Sequence, residues 1–252
     1  MTEHIGVEIA DGVAELRMQR PAKKNALTDA MYHAMADAMA AADADDGVGA
    51  VLFLGVEGTF TAGNDVADFL AQSESAVRPT DRGVVRFLQA LTHGQTPLVA
   101  GVDGLAVGIG TTLLFQCDLV VASDRSLFLT PFTDLGLVPE NASSYLGPRI
   151  MGYQRAFEML CLGEAFDATR AESAGFVNRV VAPERLEKAA RDLARRLAAK
   201  PRQAMRASRN LLRPDGAARH QAIEVESEVF GDRLRSAEAH AAFAAFMAKK
   251  AS

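Results

Sequence analysis

Along the first twenty residues apolar and polar positions alternate. Val7 and Ile9 lead to an Asp11-Gly12 pair, after which Ala14, Leu16 and Met18 are set against Val13, Glu15 and Arg17. Alternation around a turn-forming pair predicts a β-hairpin with one buried face. Beyond Arg20-Pro21 the period lengthens. Thr28 is placed to cap a helix in which Met31, Met35, Ala38, Met39 and Ala42 recur at helical spacing as a core stripe. Three short runs then lose polar alternation altogether, at residues 49–56 (GAVLFLGV), 97–102 (PLVAGV) and 118–123 (DLVVAS). Segments apolar toward both faces suit strands of a covered, largely parallel sheet, with helices as the connections.

From about Pro183 the texture becomes nearly continuous helix. Pro183 suits a first helical position, and breaks fall at Lys200-Pro201, Pro214-Asp215-Gly216 and Ser236. The pattern therefore predicts an α/β core domain over residues 1–190 and a helical C-terminal region over 191–252. The arginine-rich stretch Arg191 to Arg213 could be taken for an RNA-binding patch. Leu193, Leu197, Met205, Leu211 and Leu212 supply an apolar stripe beside it, however, which favours a solvated helix face.

Composition narrows the classes further. A chain of 252 residues, 49% hydrophobic and 23% charged, is long enough for one substantial core. Its formal charge of -5 argues against a general nucleic-acid binder, whose footprint is basic. No apolar run approaches a membrane span and the start MTEHIGVE is unlike a signal peptide, so a cytoplasmic protein with no membrane partner is expected. Cys117 and Cys161 are flanked by apolar residues, which favours buried reduced thiols over a disulfide or a metal pair.

Candidate chemistry lies in three segments. The first, Thr59 to Asp65 (TFTAGND), directly follows an apolar run; its glycine would let backbone approach a ligand, and exposed N–H groups there can aim at an oxygen. The second, Asp103 to Leu114 (DGLAVGIGTTLL), is a glycine-spaced turn leading into a helix, where the helix dipole favours developing negative charge. A phosphate loop is excluded because no Lys-Ser/Thr follows. A dinucleotide fingerprint is excluded because Gly108 and Gly110 have no third glycine at the required spacing. The third places Glu140 after Leu135-Gly136-Leu137-Val138-Pro139 and before Asn141-Ala142-Ser143-Ser144. An acidic residue there can equally complement a helix N-terminus, an effect worth about 0.3–1 kcal/mol.

Together, FTAGNDVADF and DGLAVGIGTTLLFQCDLVVAS resemble the two signature regions of the enoyl-CoA hydratase/isomerase (crotonase) superfamily. The likeness runs from RPAKKNAL through FLTPFTDLGLVPENASS and GEAFDATRAESAGFVNRVV to EAHAAFAAFMAKK, nearly the whole chain. It implies an α/β fold built as a spiral of β-β-α turns, a helical C-terminal region that packs on a neighbouring subunit, and a homotrimer or dimer of trimers. It also implies an acyl-CoA thioester substrate, with coenzyme A entering as part of the substrate and no separate cofactor or metal. By the same resemblance the backbone amides of Asn64 and Ile109 form an oxyanion hole. Ala62, Gly63, Asp65 and Gly108 lie with it against the substrate, the Lys24 to Ala26 strand and Ala62 receive the adenine, and Lys24 is a candidate for the phosphates; read from its own setting, Asp65 bonds local backbone amides to shape the loop. Phe243 and Lys249 reach the nucleotide; for Phe243, three residues from Phe246, helix packing is an equal alternative.

The chain departs from the family's hydratases at two positions. Their catalytic glutamates align with Thr112 and Phe132, neither of which can act as a carboxylate acid or base. Glu140 instead resembles, in its PE-x-x-SS setting, the general base of Δ3,Δ2-enoyl-CoA isomerases. Double-bond isomerisation is therefore expected. A residual hydratase or other thioester enzyme using a group such as Asp68, and a noncatalytic acyl-CoA-binding protein, remain the alternatives.

Overall fold

The computed structural model describes residues 2–68 and 82–251, with the side chains of 247 and 249–251 left out. The Phe69 to Arg86 stretch, where the family resemblance implies residues of the acyl pocket, falls largely outside the described residues.

The chain opens with the expected hairpin, β1 (Ile5–Ala10) and β2 (Val13–Met18), closed by Asp11 and Gly12 at φ 52° and 74°. Only part of its predicted apolar face is covered. Ala14, Leu16 and Met18 are buried, whereas Val7 and Ile9 are 48% and 55% exposed, because β1 is an edge strand with a neighbour on one side only. Helix α1 (Asp29–Ala44) follows, capped by Thr28, whose Oγ1 accepts from the Met31 amide at 3.4 Å. Its Met31, Met35, Met39 and Ala42 are buried as the methionine stripe predicts.

Three β-strand pairs then repeat one theme. The first strand of each pair, β3 (Ala50–Leu54), β5 (Leu98–Val102) or β7 (Leu119–Ser123), joins the main sheet. The second, β4 (Thr59–Thr61), β6 (Leu105–Val107) or β8 (Leu127–Leu129), joins a smaller one. Helix α2 (Gly83–His93) precedes β5, and the four-residue helix α3 (Ile109–Thr112) runs into a 3-10 turn at Leu113–Phe115 before β7. After β8 come α4 (Ser143–Met151), α5 (Tyr153–Leu160), β9 (Phe166–Asp167), α6 (Ala168–Ala174) and β10 (Arg179–Val181). The main sheet has the order β1-β2-β3-β5-β7-β10, parallel except at the hairpin, and the small sheet has the order β4-β6-β8-β9. This is the β-β-α spiral, and it explains the apolar runs. On β3, Val51 and Phe53 face the central core while Ala50, Leu52 and Leu54 face a helix on the other side of the sheet.

That helix is α7 (Pro183–Ala198), with Pro183 at its first turn, which covers the sheet through Leu186, Ala190, Leu193 and Ala194. A division at residue 190 therefore falls inside a helix that belongs to the core packing, and the purely helical part begins after Ala198. It consists of α8 (Arg202–Leu212), α9 (Gly216–Leu234) and α10 (Ala237–Ala251), interrupted at the expected breaks. The apolar stripe ends earlier than expected: Leu211 and Leu212 are 81% and 84% exposed, and Arg209 is buried instead. The arginines form the expected solvated face only in part, with Arg195 and Arg196 exposed but Arg209 buried. Arg191 pairs with Glu15 and Glu187, Arg195 with Asp11, and Arg209 with Asp118, so much of the basic run is engaged within the fold. Both cysteines are free and partly rather than fully buried. No described helix is long and apolar enough to cross a membrane.

Candidate active site

The pairing of β4 with β6 brings the two glycine segments side by side, with Thr59 opposite Leu105 and Thr61 opposite Ala106. Contact is close enough that only glycine fits. A Cβ on Gly63, at φ 83°, would lie 2.8 Å from the Val107 carbonyl oxygen, and one on Gly110 would meet Thr61 Cγ2 at 2.4 Å. In the first turn the amides of Ala62, Gly63 and Asp65 are used, donating to the Lys24 carbonyl, Thr61 Oγ1 and the Leu27 carbonyl. The Asn64 amide donates to no described group. In the second turn Gly108 donates to the Leu129 carbonyl, and Thr111 and Thr112 donate back to the Gly108 carbonyl, while the Ile109 and Gly110 amides donate to no described group. Gly108 sits at φ 56°, ψ -119°, a conformation that turns the chain sharply at Ile109. Two adjacent turns, each with an uncommitted N–H, can together receive one oxygen.

Glu140 enters from the loop before α4. It is 8% exposed, and its Oε1 accepts from Thr112 Oγ1 at 2.7 Å. Burial pushes its carboxyl up from an ordinary 4.5 to about 8, reinforced by the charge of Glu226 and opposed by the Thr112 hydroxyl. Glu140 does not cap α4 with its carboxylate. That role belongs to Glu226 on α9, which accepts from the Ala142 amide at 2.6 Å, the Ser144 amide at 2.9 Å and the Ser144 hydroxyl at 2.5 Å. Clamping is needed because Asn141 and Ala142 both lie in the left-handed region, at φ 63° and 56°. Tyr32, on the buried side of α1, donates to Asn64 Oδ1 at 2.5 Å. Burial, and next the charge of Glu140, hold this phenol well above 10. It is therefore a hydrogen-bond donor throughout the physiological range.

The remaining expected residues divide. Lys24 is exposed at φ 50°, and Ala26 is half-buried with its carbonyl taken by Arg20. The stretch between them is a left-handed turn after a 3-10 element at Pro21–Lys23, rather than a strand; only Leu27 bridges to Asn64. Asp65 accepts from Arg20 at 2.7 Å and from the Ala67 and Asp68 amides, so it shapes the loop. Asp68 is likewise engaged, accepting from the Asp29 amide at 2.8 Å. Phe243 is buried in the central core, which supports the packing alternative, and the Lys249 side chain lies outside the described residues. Phe132, at one hydratase position, is buried. His93 ends α2 at the surface, with its ring 5.0 Å from that of His220.

Three residues of the site escaped sequence reasoning. Thr112 counted only as a missing carboxylate, Tyr32 lay unremarked beside the methionine stripe, and Glu226 was one acid among many. A signal existed for the last: Glu226 shares a helix face with Ile223 and Phe230, an acidic residue on an apolar stripe.

A β-β-α spiral whose paired glycine turns face a buried carboxyl defines a class of enzyme rather than one reaction. The chain belongs to the enoyl-CoA hydratase/isomerase family, whose family model matches residues 8–252. Among curated proteins it is 35% identical to enoyl-CoA delta isomerase 2 of Rattus norvegicus over 95% of this chain, and it spans 62% of that relative's length. It is 34% identical to 4-chlorobenzoyl coenzyme A dehalogenase-1 of Arthrobacter sp over 79% of this chain and 73% of the relative. An enoyl-CoA hydratase/isomerase structure from Pseudoalteromonas atlantica superposes with a TM-score of 0.92 at 36% identity, covering 98% of each chain.

Proposed function

We propose that the protein is an acyl-CoA isomerase that moves the double bond of a 3-enoyl-CoA to the 2-position. The thioester oxygen is received by the Asn64 and Ile109 amides, which acidifies C2. Glu140 removes the C2 proton, the electron pair spreads over a dienolate, and the protonated Glu140 returns the proton to C4, so that one carboxyl serves both transfers. The observation that carries this reading is the buried Glu140 carboxyl at about 8, held by Thr112 and released from helix capping by Glu226. A group with a pKa near the working pH exchanges a proton with carbon in both directions more readily than an ordinary surface glutamate.

Hydration is disfavoured because Thr112 and Phe132 occupy the positions where the family's hydratases carry their two carboxylates. Asp68, the other acid considered as a base, already accepts a backbone amide. Assaying 3-hexenoyl-CoA and 2-hexenoyl-CoA side by side tests the proposal. Isomerisation of the first without hydration of the second is expected. Hydration of the second, or binding without turnover of either, would overturn it. An assembly of three or six copies through the C-terminal helices accompanies this reading, to be checked by sedimentation.

A further inference from the structure

Beside Gln116, between the 3-10 turn after α3, helix α4 and the α8–α9 junction, lies a cavity of about 310 Å³. Asn64, Ile109 and Glu140 do not line it. Arg149, Arg213 and Arg219 do, above apolar walls that include Leu114 and Ile150. The local charges do not balance. Asp118 is engaged by Arg209, whose Nε lies 2.9 and 2.8 Å from its two oxygens. Arg213 Nη1 stands 3.6 Å from the same carboxylate, and Asp215 Oδ1 lies 3.4 Å from Arg219 Nε. Neither contact is a hydrogen bond: Arg213 Nη1 and Arg219 Nε and Nη1 are buried donors with no described acceptor, and Arg219 is only 4% exposed. Among the lining residues two carboxylates, Asp118 and Asp215, thus stand with three guanidinium groups, Arg149, Arg213 and Arg219, and Asp118 is already taken by Arg209 from outside the lining. Desolvation, then the like charge of Arg209, depresses the Arg213 guanidinium to about 10 despite Asp118. Buried guanidinium forks with open N–H groups match the planar or tetrahedral oxygens of a carboxylate or phosphate, and leaving such donors unpaired is costly.

We infer that this cavity is an oxyanion-binding site, separate from the thioester site, that takes a carboxylate or phosphate group. The group can belong to a free small molecule or to an acidic side chain of a second copy of this chain; the chemistry is the same, and the oligomeric state distinguishes the two. The test titrates inorganic phosphate into the full-length protein, against sodium chloride of equal ionic strength, following thermal midpoint and sedimentation together. A free-ligand site gives a rise in thermal midpoint that grows logarithmically above Kd, on the order of 4 °C at ten times Kd, with no change of mass. A site filled by a second copy gives loss of mass as phosphate displaces the carboxylate. In either case Arg213→Gln weakens the response at least tenfold, and Arg149→Gln, at the exposed rim, weakens it less. If phosphate acts no differently from chloride and both variants keep the wild-type mass, the cavity is merely hydrated and the inference is wrong.

Discussion

The two halves of the candidate site are built from different material. The glycine turns at 62–64 and 107–110 present backbone N–H groups, and their side chains serve mainly to hold the turns: Thr61, Asp65 and Thr111 all bond into the surrounding loops. The Glu140 region presents one side chain, and the chain around it is arranged for that purpose, with Thr112 on the carboxyl and Glu226 on the following left-handed residues. In the first half geometry is fixed by main-chain pairing of β4 with β6. In the second it is fixed by a buried polar network reaching from α3 to α9. A backbone site should therefore resist side-chain replacement and fail when the turns are displaced, and a side-chain site should behave in the opposite way.

The largest expected effect separates the halves most sharply. Glu140→Gln should lower isomerisation by about 10³-fold while acyl-CoA affinity, measured by calorimetry, stays within about threefold. The same variant bears on stability. The folded carboxyl at about 8 lies above its ordinary 4.5, so the folded protein binds more protons than the unfolded chain between those values and loses stability as pH rises through them. Ionised Glu140 costs on the order of 5 kcal/mol at pH above 8. Glu140→Gln should accordingly denature at higher urea than wild type at pH 9, with the gap closing near pH 5; an equal gap at both values would contradict the burial argument.

Displacing the backbone half comes next. Gly63→Ala forces a Cβ to 2.8 Å from the Val107 oxygen at a positive φ and should lower kcat about 10²-fold, as loss of one oxyanion donor does. Gly108→Ala meets no atom within 4 Å, so it should carry only the cost of its backbone conformation, roughly 1–3 kcal/mol in denaturation. A smaller effect is expected of Thr112→Val, which removes the hydroxyl that opposes the rise of the Glu140 carboxyl. Its rate at pH 7 should fall about tenfold, recovering at higher pH because the midpoint of the pH–rate profile moves up. Asn64→Ala should matter least, about threefold, because the amide survives and only the hydrogen bond from Tyr32 is lost. A loss there as large as that of Glu140→Gln would show that the Asn64 side chain, rather than its amide, does the chemistry.

Much of this was legible in the sequence, and the reason differs from place to place. Runs such as VLFL declare a two-faced strand because burial on both sides removes every polar position, and the helix breaks after Lys200, Arg213 and Arg235 coincide with Pro, Gly or Ser. The glycine turns were legible because close approach at Gly63 and Gly110, and a positive φ at Gly63 and Gly108, favour glycine there. Val7 and Ile9 misled because alternation signals a strand but not whether anything covers it. Phe243 stayed open between two readings because an aromatic residue near the C-terminus reads alike whether it reaches a ligand or the core, where its side chain is packed. Thr112, Tyr32 and Glu226 stayed hidden because their partners are 28, 32 and 84 residues distant, and no local pattern encodes a contact at that range.

The uncommitted amides of Asn64 and Ile109 bear on how such a protein diversifies. An oxygen-binding pair made of main chain is inherited with the fold, since no single codon change deletes a peptide N–H except substitution by proline. The acid at position 140, by contrast, is one codon deep. On the proposed reading, descent can therefore exchange the reaction while keeping the means of holding a thioester, and the same asymmetry suggests where to begin in giving this scaffold a new activity: leave the turns at Gly63 and Gly108 untouched and vary the residues that face Glu140.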